Sequence, residues 1–151
     1  MAREKDNVLT EDFLFELYYG CFQYDYVCSL VCEYMDKTYL PGRDFQSLQT
    51  YLCKYYKEHK SAPTLNIISQ IVSMNKEVTA LLNDIKDCAE GVEPDIILEQ
   101  FEDYLRNVKF QKTFKEIGEL YAQQDREKAF KLLGSFAKWQ NEFSLRQNEF
   151  I

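Results

Sequence analysis

The run EPDIILEQFEDYLRNVKFQKTFKEIGELYAQQ, Glu93 to Gln124, constrains this chain more than any other stretch. It reads as one helix. Glu93 is placed to cap it, Pro94 stands in the first turn, where its missing N–H costs nothing, and Asp95 faces the positive end of the dipole. At about 1.5 Å per residue the helix is roughly 45 Å long. Its apolar residues do not keep to one stripe. Ile97, Phe101, Leu105 and Val108 share a face. Phe110, Phe114, Ile117 and Tyr121 then keep helical spacing on the opposite side, a phase jump of about 180° at 100° per residue. A helix that changes its buried face halfway needs two different bodies to lean on.

With 151 residues, 46% hydrophobic and 15% aromatic, the chain is long and apolar enough for a real core. Five Gly and three Pro leave room for few turns, as helices require and many short strands would not. Residues 1–93 hold 9 Lys and Arg against 15 Asp and Glu, a net −6 within a chain of −7. Such a surface repels phosphate backbones, so no direct nucleic-acid binding is expected. No stretch approaches the roughly 18 apolar residues of a membrane span, and the start, MAREKDNVLTEDF, has no signal-peptide core. The expectation is a cytoplasmic protein, away from membranes, whose five cysteines are reduced and packed as small hydrophobes.

Residues 1–9 are polar and expected to be disordered. A first helix is capped by Thr10 and stops at Gly20, burying Phe13, Leu14, Leu17 and Tyr18. A second covers Asp25 to Met35 with Val27, Leu30, Val31 and Tyr34 inward, and Pro41-Gly42 turns the chain. Asp44 caps a third helix, Phe45 to His59, burying Phe45, Leu48, Leu52 and Tyr55 or Tyr56. Thr64 caps a fourth, carrying Leu65, Ile68, Ile71 and Val72. A fifth, Lys76 to Glu90, turns Val78, Leu81, Leu82 and Ile85 inward and ends at Gly91.

After the long helix, Asp125 caps a seventh, Arg126 to Phe143, which turns back within two or three residues. Its apolar residues, among them Ala129, Phe130, Leu132, Leu133, Phe136 and Trp139, cover about half its girth, wider than one helical partner needs. The predicted fold is therefore all-α. A compact head of about five helices (10–92) precedes a long antiparallel helical hairpin (93–143) acting as an oligomerisation arm, and 144–151 is a frayed tail. The candidate oligomer interface is Phe110, Phe114, Ile117, Tyr121, Phe130, Leu133, Phe136 and Trp139, with a homodimer or higher oligomer as the expected assembly.

Catalytic and cofactor motifs are missing. Cys28 and Cys32 stand i, i+4 on one helix, but no CxxC or HxxxH accompanies them, so buried thiols are a better reading than zinc. His59, the only histidine, falls at a helix C-terminus, where a positive charge suits the dipole. Glu102 and Arg106 read as a surface i, i+4 pair. Arg106, Lys109, Lys112 and Lys115 step by three, so they spiral round the helix instead of forming a stripe. Neither GxxxxGK[ST] nor GxGxxG occurs. No catalytic, cofactor-binding or metal residue is expected, and no enzyme.

The stretch FQSLQTYLCKYYKEHKSAPT, Phe45 to Thr64, followed by LNIISQIV, resembles the core helix, Pro-Thr loop and short helix of the N-terminal domain of DnaB-family replicative DNA helicases. The later FEDYLRNVKFQKTFKEIGELYAQQDREKAFKLL resembles that domain's terminal hairpin, and the element order follows over residues 10–143. The resemblance implies a non-catalytic collar domain that oligomerises and docks primase or a helicase loader. The ATPase domain of that family, with its P-loop, has no counterpart in this sequence. The alternative is a stand-alone helical adaptor or regulator, such as a phage protein, that binds a replication protein.

Overall fold

The computed structural model describes residues 2–88 and 93–145, the side chains of 2–11 and of Cys88 excepted. Among these residues the chain is all-helical. The helices are α1 (Ala2–Gln23), α2 (Asp25–Tyr34), α3 (Arg43–His59), α4 (Leu65–Ile71), α5 (Lys76–Cys88), α6 (Pro94–Ala122) and α7 (Arg126–Glu142), with one 3-10 turn at Lys37–Tyr39 and no strand. The chain divides into two compact units, 1–100 and 101–151, so the division falls inside α6 and not at 92/93.

Side-chain caps set three of the helix starts. Thr64 Oγ1 accepts from the Ile67 N–H at 3.2 Å and Asp125 Oδ1 from the Lys128 N–H at 3.3 Å, both as the sequence predicts. Asn75, a cap the sequence reading did not name, accepts from the Val78 N–H at 3.1 Å and starts α5. Three expectations need correction. α1 begins at Ala2 and not at Thr10, because Ala, Arg, Glu and Lys favour helix and nothing before Thr10 stops one. The disordered segment expected at 1–9 therefore falls on this helix from Ala2 onward. Gly20 does not end α1, which runs on to Gln23 and buries Cys21 completely. α3 starts at Arg43 with Gly42 as its N-cap; Asp44 sits in the first turn and accepts from the Phe45 N–H at 2.8 Å. The expected stop at Gly91 lies outside the described residues.

In the first unit α1 packs against α2 and α5, α3 against α2, α4 and α5. Leu14, Leu17 and Tyr18 of α1 meet a core that includes Val27 and Val31 of α2, Phe45, Leu48 and Leu52 of α3 and Val78, Leu81, Leu82 and Ile85 of α5. Of the residues expected inward on α4, Ile68 and Val72 are buried but Ile71 is exposed. Gln49 is the one polar side chain buried in this unit among the described residues. It accepts from the Tyr18 hydroxyl at 2.6 Å and donates to Val31 O at 3.2 Å and Met35 O at 3.4 Å, tying α1, α2 and α3 together. Tyr18→Phe removes the donor and strands the Gln49 carbonyl out of water, so stability should fall by about 1–3 kcal/mol in urea unfolding. An unchanged midpoint would show the bond to be dispensable.

Candidate interaction surface

In the second unit the distal part of α6 and the whole of α7 lie side by side and antiparallel. Glu102 Oε1 accepts from the Leu145 N–H at 2.7 Å, the Arg106 guanidinium donates to Phe143 O, and the Phe110 ring meets Phe136 edge-on at 5.9 Å. Each step along α6 is met by a step back along α7. In the turn between them Gln124 takes φ 65, and its N–H bonds to Tyr121 O while the Asp125 N–H bonds to Leu120 O at 2.9 Å.

Glu102 and Arg106 are more than a surface pair. Their 2.9 Å ion pair holds both groups against the chain leaving α7, where the Arg106 guanidinium also lies 5.7 Å over the Phe143 ring. Of the tail expected to fray, Leu145 is buried and Ser144 half-buried; residues 146–151 lie outside the described residues.

α6 has three faces, and the sequence showed two. Ile97, Phe101 and Leu105 are buried, with Val108 half-buried, as the first stripe predicts. The side turned to α7 lies between the two stripes and includes Thr113, 7% exposed. Phe110, Phe114 and Tyr121 are left 47%, 48% and 52% exposed. On α7, Ala129 and Phe136 are buried, and Phe136, Trp139 and Phe143 stack in series at 6.0 and 4.7 Å. Phe130 and Leu133 stay exposed, at 64% and 42%. The eight candidate interface residues therefore sort into two groups. Phe110, Phe114, Tyr121, Phe130 and Leu133 are open to solvent; Phe136 belongs to the seam, with Ile117 and Trp139 half-buried.

Two cation–ring contacts fix which side the open residues occupy. Arg126 of α7 lies 5.2 Å over Tyr121, whereas Lys109 of α6 lies 4.7 Å over Trp139 on the other flank of the seam. At 100° per residue, Leu133 and Phe130 share the Arg126 flank of α7 and Phe110 and Phe114 share the Tyr121 flank of α6. The open aromatics form one continuous face.

The first unit offers less. Cys21, Cys28, Cys32 and Cys53 stand in a row across α1, α2 and α3, each thiol hydrogen-bonded to the next, and Gln49 Nε2 reaches Cys53 Sγ at 3.2 Å. Spacing revealed the Cys28–Cys32 pair; tertiary packing adds the other two. Burial raises the Cys21 thiol, and the bond to its neighbour raises Cys28, Cys53 and Cys32, the last pushed up to about 12. Protonated at neutral pH, these are packing groups and not nucleophiles. A shallow depression of about 560 Å³ runs along α3 past Tyr51, Lys54, Tyr55, Glu58 and His59. His59 closes α3 and stacks on Tyr55 at 4.1 Å.

What fold and surface define is a class, an all-helical protein with an exposed aromatic face on one helix pair. Comparison with family models, curated proteins and solved structures finds no match. No helix among the described residues is long and apolar enough to cross a membrane.

Proposed function

We propose that this chain is a non-catalytic interaction module whose working surface is the open face of α6 and α7, a helical arm carried by a helical head. The observation that supports it is the set of large apolar side chains, Phe110, Phe114, Tyr121, Phe130 and Leu133, left open on one side of a helix pair that has its own buried seam. Single exposed apolar residues are ordinary on any surface; a contiguous aromatic group marks a place where another surface sits. A replicative-helicase setting, with a collar that docks primase or a loader, is part of the proposal and is supported by element order alone. A reading frame continuing into a P-loop ATPase would strengthen that setting.

The module reading requires that these aromatics serve binding and not folding. Phe114→Asp with Phe130→Asp should leave helical circular dichroism intact, shift the monomer melting temperature by no more than about 2–4 °C, and raise solubility. Loss of the fold would make the two rings core residues and end the reading.

A further inference from the structure

The depression along α3 continues beyond the part already described. A second depression, of about 510 Å³, shares Ser47, Tyr51 and Ile71 with it and runs on past Met74 to Lys76 at the start of α5. The two make one groove on the first unit, following α3 from Arg43 to His59 over roughly 24 Å. Its middle is apolar. Tyr51 and Tyr55 stand one turn apart on α3 and are half-buried. Ile71, expected inward on α4, is instead 44% exposed, and Met74 is 94% exposed. A methionine so placed is an adaptable contact for an apolar guest. The charge of the groove opposes that of its surroundings. Arg43, Lys54 and Lys76 line it against Glu58 and Glu77, a net +1, where residues 1–93 carry −6. None of the three cations has an ion-pair partner among the described residues.

We infer that this groove takes an acidic, amphipathic helix of a partner protein, its apolar stripe on Tyr51, Tyr55, Ile71 and Met74 and its carboxylates toward Arg43, Lys54 and Lys76. The groove belongs to the first unit and owes nothing to the open face of α6 and α7. No strand edge exists among the described residues to pair with an extended peptide, so the guest must satisfy its own backbone, as a helix does. The length of the groove matches about 16 helical residues. Cations left unpaired within an acidic surface favour an acidic guest and repel a basic one. A nucleic acid needs more, because three cations beside two carboxylates do not hold a phosphate backbone.

Fluorescence anisotropy tests this on the full chain. The probe is a labelled, end-capped peptide of about 16 residues, with leucine at helical spacing on one face and glutamate elsewhere. A groove this shallow should bind it with a Kd on the order of 10–100 µM, and the same peptide with lysine for glutamate about tenfold more weakly. Ile71→Gln with Met74→Gln removes apolar contact from exposed positions and should weaken binding about tenfold. Arg43→Glu with Lys76→Glu should erase the preference for glutamate over lysine. Both carboxylates would then stand in the first turns of α3 and α5, where they suit the dipole and spare the fold. Phe114→Asp with Phe130→Asp should leave the affinity unchanged. No binding by about 500 µM overturns the groove as a site. Loss of binding in the Phe114→Asp, Phe130→Asp variant places the guest on the α6 and α7 face and overturns it equally. Equal affinity for the two peptides, or binding of a single-stranded thymidine oligonucleotide in preference to both, overturns the acidic helix as the occupant.

Discussion

Truncating Phe101 to alanine should lower stability by about 3–5 kcal/mol, the range for large aromatic side chains in cores. Phe101 is fully buried and, with Tyr18, heads the largest buried side chains among the described residues. The loss has two parts, the apolar area returned to water and the cavity that close-packed neighbours cannot fill. Ile96 is the control: it is also apolar and on α6, but it is 56% exposed, and Ile96→Ala should change stability by less than about 1 kcal/mol. Urea unfolding of both variants separates the cases. A Phe101→Ala loss below about 1 kcal/mol would mean that the first stripe of α6 is not core.

Phe136→Asp should be as damaging, and the contrast with Phe130→Asp is the sharper result. The two residues stand six apart on α7, and each is an aromatic in a helix half-covered with apolar groups. Phe136 is 8% exposed, with Phe110 on one side and Trp139 on the other, and a carboxylate there loses both ring contacts and is itself taken out of water. A loss of about 3 kcal/mol or more is expected, with hydrogen exchange accelerated over α7 and the distal half of α6. Phe130 is 64% exposed, and its aspartate should be tolerated within about 0.5–1 kcal/mol. Equal tolerance at both positions would place the seam elsewhere.

These contrasts also mark what the sequence made legible. The helix starts at Asp25, Lys76, Pro94 and Arg126 and the caps at Thr64 and Asp125 followed from local chemistry, because a cap depends only on residues within one turn. The phase change of α6 was equally legible, being a property of one helix. What failed depends on neighbours distant in sequence. Gly20 looked like a stop, yet α1 runs past it and buries Cys21, and the burial of Gln49 depends on Tyr18 and Val31, far from it in sequence. Gln124 takes a left-handed conformation that carries no glycine to announce it. The wheel of α7 showed a wide apolar arc but not which third faced α6, so Phe136 and Phe130 could not be told apart. Cys21 and Cys53 joined Cys28 and Cys32 only through packing of α1 and α3 against α2.

The account's central claim is that the open face of α6 and α7 is the surface with which this protein binds, and aromatic side-chain NMR across a concentration series tests it most directly. The account expects the ring signals of Phe110, Phe114, Tyr121 and Phe130 to move with concentration while those of Phe101 and Phe136 stay fixed. Association accompanied by shifts confined to rings of the first unit, such as Tyr51 and Tyr55, with the four α6 and α7 rings unmoved, would contradict it.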